Sequence, residues 1–446
     1  MTRSVKLLTP LASLAVLWLV AEYAGHYRGR IHYGLTAEPR FGWLLALLGL
    51  IWVATYAIGI NESGISALNR LARAAGAVIG AVVLVVLAEV FFRHHAVPVL
   101  EIPVFDLGMC LVLLVPVLTA VSSLADRTLV RQGQHERVLA LVSHDEEDRL
   151  LRDFNRNPER PAHLVLTLAP SEVLPTEQRP APLGDMIEEH KATLLVMSRE
   201  AQAMEAVVSQ AVVAHSKGVR IRTLSLFYDE WLGKLPISEL ERIALLFDIN
   251  EIHRPVYARM KRALDIALAA AGAVVLVVAV PFVLLADLAG NRGSLFYTQP
   301  RVGKNGTVFT IVKFRTMRNV DAPAAWTSED DPRLGRVGKI LRKMHVDELP
   351  QVINVLKRDM SIVGPRPEQP HYVEQLSETI PFYDVRHLVR PGITGWAQVK
   401  YDYGASELDA LEKLQYEFYY LRHQDLALDL RTMGRTVRSM VRGEGR

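Results

Sequence analysis

Four apolar blocks fill the first 125 residues, and they constrain the fold more than any other feature of the chain. Residues 7–24, 41–60, 74–92 and 107–124 each run for about 18–20 positions, and charge is confined almost entirely to their ends and connections. A helix rises about 1.5 Å per residue, so each block reaches across a hydrocarbon core of about 30 Å. The first block has the length of a signal peptide, but no small-residue cleavage site follows it and three more blocks do, which predicts an uncleaved anchor. With the N-terminus inside, Arg3, Lys6, Arg70, Arg73, Arg127, Arg131 and Arg137 flank the inner ends, and Arg28, Arg30, Arg40 and Arg93 the outer ones. That bias predicts both termini on the cytoplasmic side. Glu22 and Glu89 fall near block ends, within reach of the interface.

A fifth apolar run, 266–286, is also long enough to span and contains Pro281. Arg259, Lys261 and Arg262 precede it, and Arg292, Arg301 and Lys304 follow it, so both flanks carry the inner-side signature. A crossing would place everything after it outside the cell, away from any nucleotide pool. The charges therefore predict a re-entrant helix, bent where Pro281 removes the bond to the carbonyl of Val277.

Between the two apolar regions the hydrophobic runs shorten to strand length. Residues 138–142, 163–168, 193–198 and 219–224 read as buried parallel strands, and 145–155 and 201–215 as helices. This alternation predicts a Rossmann-like α/β unit over 126–256, with a Pro-rich loop at 170–182. A nucleotide claim on it is opposed by Ser143-His144-Asp145-Glu146-Glu147-Asp148, which follows the first strand. No glycine there lets the backbone approach a pyrophosphate, and the carboxylates would repel one. A scaffold or dimerisation role fits it better.

Composition removes several classes. Lys and Arg number 51 against 48 Asp and Glu, a net of +3, which excludes nucleic-acid binding driven by bulk charge. The single cysteine, Cys110, excludes an intrachain disulfide framework and any site built from several cysteines.

The chemistry-bearing residues lie in 257–446. From 290 onward there are 24 Lys and Arg against 19 Asp and Glu, an excess larger than that of the whole chain. The basic residues cluster at Arg301 and Lys304, at Lys313 and Arg315, at Arg333, Arg336, Lys339, Arg342 and Lys343, and in Pro365-Arg366-Pro367. Guanidinium groups match phosphate oxygens in planar pairs. A solvated basic face near anionic lipid is the alternative, but rigid Pro-Arg-Pro fits a positioned ligand better. The adjacent acids Asp347 and Glu348 precede Pro350, which suits the first turn of a helix continuing through Val352, Val355 and Leu356. An acid before a helix is most often a cap. Two of them amid arginines suit a reaction in which one carboxylate attacks phosphorus and the other handles protons or helps hold a metal. Hard oxygen donors favour Mg²⁺ or Mn²⁺ there.

Four ordered motifs extend this reading: Lys313-Phe314-Arg315-Thr316-Met317, Val346-Asp347-Glu348-Leu349-Pro350-Gln351, Ser361-Ile362-Val363-Gly364-Pro365-Arg366-Pro367, and Arg390-Pro391-Gly392-Ile393-Thr394-Gly395-Trp396-Ala397-Gln398-Val399. Together they resemble the bacterial sugar transferase family over roughly 257–440. Tyr403-Gly404-Ala405-Ser406 and Leu414-Gln415-Tyr416 resemble its exopolysaccharide- and exosortase-associated subgroup. The resemblance implies a polyprenyl-phosphate hexose-1-phosphate transferase acting on a UDP-hexose and undecaprenyl phosphate at the bacterial inner membrane. By it Asp347 is the nucleophile, releasing UMP, and Glu348 assists the second transfer. Mg²⁺ sits against this acid pair, and Arg342 and Arg366 hold phosphates. Lys313, Arg315 and Arg301 join the binding set, and the re-entrant helix maps onto 266–286. His345 stands where the family more often has a small hydroxyl residue. Val280 precedes Pro281 where some members have Ser. A non-catalytic membrane scaffold and a glycosyltransferase releasing UDP are the competing readings.

The sequence thus predicts a membrane protein of α plus α/β class. A four-helix transmembrane bundle occupies 1–125, a Rossmann-like domain 126–256, and a monotopic catalytic domain with its re-entrant helix 257–446. Near the C-terminus, Arg431, Arg435, Arg438 and Arg442 lie opposite Leu430, Met433, Val437 and Met440. Such a helix can lie on an anionic leaflet or pack on the core by its apolar stripe.

Overall fold

The computed structural model describes residues 11–20, 39–59, 67–93, 104–131, 136–156, 162–236, 255–290, 294–317, 334–401 and 406–442. Glu22, Arg28, Arg30, Arg292, Arg333 and Tyr403 lie outside them, as do the side chains of Glu89, Cys110 and Arg442. The chain divides into two compact units, Met1–Leu232 and Gly233–Arg446.

In the first unit, α1 (Leu11–Val20), α2 (Pro39–Ile58), α3 (Ala67–Arg93) and α4 (Val104–Arg131) share one apolar core. Leu17, Ile51, Leu114 and Leu118 fill it, and Ala74, Ala77 and Ala81 keep the contact face of α3 thin enough for its neighbours to close on it. Trp18, Trp52 and Val112 are exposed on the outside. Within these helices, Leu11–Val20, Leu47–Tyr56 and Val112–Leu124 are apolar stretches among the described residues. Arg70, which the sequence places at a membrane flank, is buried, and its Nη1 donates to Ser122 O of α4 at 3.0 Å. A buried guanidinium needs such acceptors.

The second half of this unit is an all-parallel sheet in the order β2-β1-β3-β4. Its strands are β1 (Glu136–Leu141), β2 (Ala162–Leu168), β3 (Leu194–Met197) and β4 (Arg220–Thr223). Helices α5 (His144–Arg156), α6 (Pro182–Glu189) and α7 (Glu205–Ser216) connect them. Val138, Leu139, Ala140 and Leu141 are all buried, the continuous apolar pattern of a strand covered on both faces. The helix expected over 201–215 is interrupted at Met204, whose backbone is extended and whose side chain packs against the core. At the acidic turn after β1, Glu146 accepts from Ser143 N and Ser143 Oγ at 2.8 and 3.1 Å, and Glu147 pairs with Thr167. These carboxylates cap α5 and tie it to β2.

The second unit begins with a strap. Trp396 Nε1 donates to Gly233 O at 2.9 Å, and the buried Lys234 pairs with Glu412. It is then organised on α8 (Pro255–Gly290), one helix that runs through Pro281. Among the described residues it contains the one stretch, Val256–Ala286, long and apolar enough to cross a membrane. Val274, Val277 and Phe282 are exposed by 66–71%. The first turns of α8 are gripped by polar contacts. Asp265 Oδ1 accepts from Ser361 Oγ and Ile362 N, both at 2.9 Å. Lys261 Nζ and Tyr257 OH reach the buried Asp429 at 2.9 and 3.0 Å.

Around this base lie the antiparallel hairpin β5 (Phe296–Val302) and β6 (Val308–Phe314), then α9 (Arg336–Lys343) and α10 (Val352–Lys357). Strands β7 (Ser361–Val363) and β8 (Gly392–Thr394) pair in parallel, with α11 (Pro370–Thr379) between them and α12 (Trp396–Lys400), α13 (Glu407–Arg422) and α14 (Leu426–Arg442) after them. The predicted apolar stripe of α14 packs only in part, with Met433 against the core. Leu428, Asp429, Thr432 and Arg435 are buried, while Val437 and Met440 are exposed. The surface that receives α14 offers polar partners: Thr394 Oγ1 meets Thr436 Oγ1 at 2.6 Å, and the Arg435 guanidinium lies 4.9 Å from the Trp396 ring centre.

Candidate active site

The third and fourth motifs meet here because glycines let their backbones touch. A Cβ added to Gly364 would lie 2.3 Å from Arg390 O, and one added to Gly392 would lie 2.2 Å from Gly364 N. These are distances no side chain tolerates, so Gly364 and the first glycine of the fourth motif, Gly392, are requirements of close approach. Gly338 of α9 is fixed by the same argument, since its Cβ would fall 2.0 Å from Thr316 O. That contact brings Arg342 Nε to Thr316 Oγ1 at 3.0 Å.

The acid pair sits in a 3-10 turn, Val346–Gln351, and α10 starts only at Val352. The acids thus precede the helix by a full turn, and Pro350 lies inside that turn rather than at the α-helical N-terminus. His345 turns the chain from α9 into this segment with a φ of 54°. This left-handed position admits His more readily than β-branched residues. Its place is therefore conformational: His345 N donates to Arg342 O at 3.0 Å, and Glu348 N to His345 O at 3.3 Å.

The two carboxylates are treated differently. Glu348 Oε1 accepts from Lys313 Nζ at 2.7 Å and lies 3.6 Å from Arg366 Nη2. Asp347 is 9% exposed, and no hydrogen bond or ion pair reaches its carboxylate among the described residues. Burial pushes its pKa up, the Glu348 charge adds to this, and Lys313, Arg342 and His345 oppose it. Burial likewise pulls the Lys313 ammonium down, against the restoring charge of Glu348.

The Pro-Arg-Pro loop is held by every carbonyl it has. Pro365 O accepts from Gly392 N at 2.8 Å, Arg366 O from Arg386 Nη2 at 3.0 Å, Pro367 O from Arg301 Nη1 at 2.9 Å, and Glu368 O from Val302 N at 2.9 Å. Arg301 is accordingly placed under the loop. Its other contacts are Gln299 Oε1 at 2.8 Å and Glu368 at 3.7 Å, and desolvation lowers its pKa. Arg386 is locked by Glu417, with Nε and Nη2 donating to the two carboxylate oxygens at 2.8 and 2.7 Å, and by Tyr383 OH at 2.7 Å from Nη1. Of the predicted residues, Asp347, Glu348, Lys313, Arg342 and Arg366 therefore gather into one site. Arg315 is tied by its backbone N–H to Leu295 O at 3.0 Å, next to that group.

Two sets of residues escaped the sequence reading. Asn354 lies inside an apolar run of α10, and its side chain accepts from Val312 N at 3.1 Å and donates to Thr310 O at 2.8 Å, stitching β6 beside Lys313 to the acid turn. A lone amide on an otherwise apolar helix face was the available signal. Arg386 and Glu417 are 31 residues apart, and nothing local couples them.

For a divalent cation, the available donors are the Asp347 and Glu348 carboxylates. No group of three or more His, Cys, Asp or Glu forms among the described residues. Two carboxylates completed by phosphate and water suit Mg²⁺, which keeps part of its hydration. A buried Asp347 with a raised pKa and no counter-ion in contact fits a position that a cation completes.

A helix long and apolar enough to cross a membrane, with an acid pair and several cations assembled beside it, defines the class of site. The comparisons agree. Residues 256–443 match the bacterial sugar transferase model. The chain is 39% identical over 250 residues to the UDP-N-acetylgalactosamine-undecaprenyl-phosphate N-acetylgalactosaminephosphotransferase of Aeromonas hydrophila, covering 54% of this chain and 56% of that one. It is 38% identical over 184 residues to the UDP-glucose:undecaprenyl-phosphate glucose-1-phosphate transferase of Escherichia coli (strain K12), covering 40% and 39%. Over 198 residues it is 36% identical to an exopolysaccharide production protein of Rhizobium leguminosarum bv. phaseoli, covering 42% of this chain and 98% of that relative. The chain belongs to the bacterial sugar transferase family. It spans about half or less of the length of the first two relatives.

Proposed function

We propose that the protein is a phosphoglycosyl transferase that moves hexose-1-phosphate from a UDP-sugar to undecaprenyl phosphate, the entry step of exopolysaccharide or O-antigen assembly. The observation that carries this is the unequal treatment of the acid pair. Glu348 is clamped by Lys313 and Arg366, whereas Asp347 is buried and unclaimed among the described residues.

An unclaimed carboxylate between cations is a nucleophile waiting for phosphorus. Asp347 attacks the β-phosphorus of the donor. The bond to the bridging oxygen breaks, and UMP leaves with that oxygen and its electron pair. The acyl phosphate then carries the sugar until an oxygen of undecaprenyl phosphate attacks the same phosphorus. That step restores the Asp347 carboxylate and forms undecaprenyl-diphosphate-sugar. Arg366 and Lys313 meet phosphate charge as it develops, and Arg342, with Lys313, favours the ionised form of Asp347 against its burial. Glu348, held in place, accepts the proton of the incoming phosphate. Mg²⁺ held by Asp347 and Glu348 would neutralise the diphosphate.

In this reading α8 enters the inner membrane from the cytoplasmic face, and the chain that follows it returns to that face. The four N-terminal helices cross it, and the parallel sheet is a Rossmann-like adaptor. Membrane placement suits the reaction, since the acceptor phosphate lies at the interface and the donor is soluble. Incubation with UDP-hexose, undecaprenyl phosphate and Mg²⁺, followed by identification of the nucleotide, tests the assignment. UMP is the expected product. UDP would make the protein a glycosyltransferase that moves the sugar alone, and the absence of both would leave a scaffold.

A further inference from the structure

Away from the acid pair, four cations from four separate segments gather near the foot of α8. Arg262 lies on α8, Lys304 in the β5–β6 turn, Arg358 just after α10 and Arg390 just before β8. Arg262 Nη1 and Nη2 donate to Val355 O at 2.7 Å and Leu356 O at 3.0 Å, and Arg390 Nε donates to Arg358 O at 3.0 Å. These bonds fasten two guanidinium groups to the C-terminal end of α10, where the helix dipole favours positive charge. They do not explain why Arg358 and Lys304 join them. Arg358 adopts a φ of 75°, a left-handed backbone that costs an L-residue about 1 kcal/mol or more, and its side chain is exposed. Neither the Arg358 guanidinium nor Lys304 Nζ has a hydrogen bond or carboxylate partner among the described residues.

The group repels itself. Besides partial burial, Arg390 and Arg358 lower the Lys304 pKa, and Arg358 and Arg262 lower that of Arg390, with Asp265 alone opposing. Asp265 is already committed to Ser361 and Ile362, and Asp359 lies 3.4 Å from Asn354 Nδ2. An anion would relieve this repulsion.

We propose that Arg262, Lys304, Arg358 and Arg390 form a second phosphate site, distinct from the acid pair, that docks the headgroup phosphate of an anionic lipid. The position of Arg262 selects a lipid over free phosphate. It precedes the uncharged run 266–286 by four residues, a rise of about 6 Å, which is the depth of the polar layer flanking each side of a hydrocarbon core. The site therefore sits level with headgroups, provided that α8 enters the bilayer as proposed above.

The test uses the full chain in neutral detergent, offered equal phosphatidylglycerol and phosphatidylcholine, re-isolated, and its bound lipid counted by mass spectrometry. The wild type should retain phosphatidylglycerol preferentially, and inorganic phosphate in excess should not displace it. Replacing Lys304, Arg358 and Arg390 by Gln should lower that preference by about a hundredfold, a factor of about five for each cation at an anionic surface. Arg366→Gln, which removes a cation beside the acid pair, should leave it intact. Should the triple variant misfold by near-ultraviolet circular dichroism, K304Q/R358Q, which removes no hydrogen bond made by either side chain among the described residues, should still lower it about 25-fold. Unchanged preference in the folded variants overturns the site, and displacement by inorganic phosphate overturns the lipid as its ligand. Alkaline extraction of membranes reads the other premise separately. Release of the wild type there would refute the entry of α8 into the bilayer.

Discussion

Arg386 and Glu417 bury a full ion pair in the second unit, with side-chain exposures of 4% and 5%, and Arg386 reaches toward the acid pair through the carbonyl of Arg366. Removing one partner leaves the other charged and unpaired in a low-dielectric interior, a loss of about 3–5 kcal/mol. For a domain of this size that lowers the melting temperature by about 10 °C. Glu417→Leu and Arg386→Met should each show it by thermal or denaturant unfolding. The double variant exchanges the pair for apolar volume, a replacement that is often neutral. It should therefore recover most of the lost stability, a coupling of several kcal/mol. Activity should not follow. With Arg386 gone, Arg366 O has no donor and the Pro-Arg-Pro loop is free to shift, so the stable double variant should remain impaired, with the larger loss in kcat. Additive destabilisation would refute the pairing argument. A double variant with wild-type turnover would refute the claim that Arg386 positions Arg366.

Other expectations follow from single contacts. Asn354→Leu strands Val312 N and Thr310 O, each worth roughly 1–3 kcal/mol when buried and unpaired, so unfolding should shift by about 2–6 kcal/mol. Asn354→Asp keeps the acceptor and should fall between. Asp347 must be ionised to attack, and its pKa is raised, so the acid limb of single-turnover phosphosugar transfer should lie above the range of an ordinary aspartate. Glu348→Gln removes a neighbouring negative charge, which favours the ionised form and should move that limb to lower pH. A limb that stays put or rises would show that Glu348 does not set the titration.

Periodic and local features were legible in the sequence. The four apolar blocks, the parallel strands and the acid pair each announce themselves within a few residues, because burial on two faces or one stripe imposes a pattern at fixed spacing. What could not be read was the pairing of distant segments. Asp265 looks like a stray charge at the edge of an apolar run until Ser361 and Ile362 are placed on it. Arg301 reads as a phosphate ligand by its company in the sequence, and its bond to Pro367 O is visible only in the fold. In α14 the hydrophobic pattern told only part of the packing, since Met433 lies against the core but Asp429 and Arg435 also meet partners on other elements. Periodicity reports which face is apolar and is blind to a surface that offers hydrogen bonds.

The central claim is that Asp347 carries the sugar phosphate, and the most direct measurement is the mass of the protein quenched with UDP-hexose and Mg²⁺ in the absence of acceptor, under conditions that preserve acyl phosphates. The account predicts a phosphohexose adduct that maps to Asp347, disappears on adding undecaprenyl phosphate, and is absent from Asp347→Asn. Lipid product formed at a normal rate by protein that never carries the adduct, or by that variant, would contradict it.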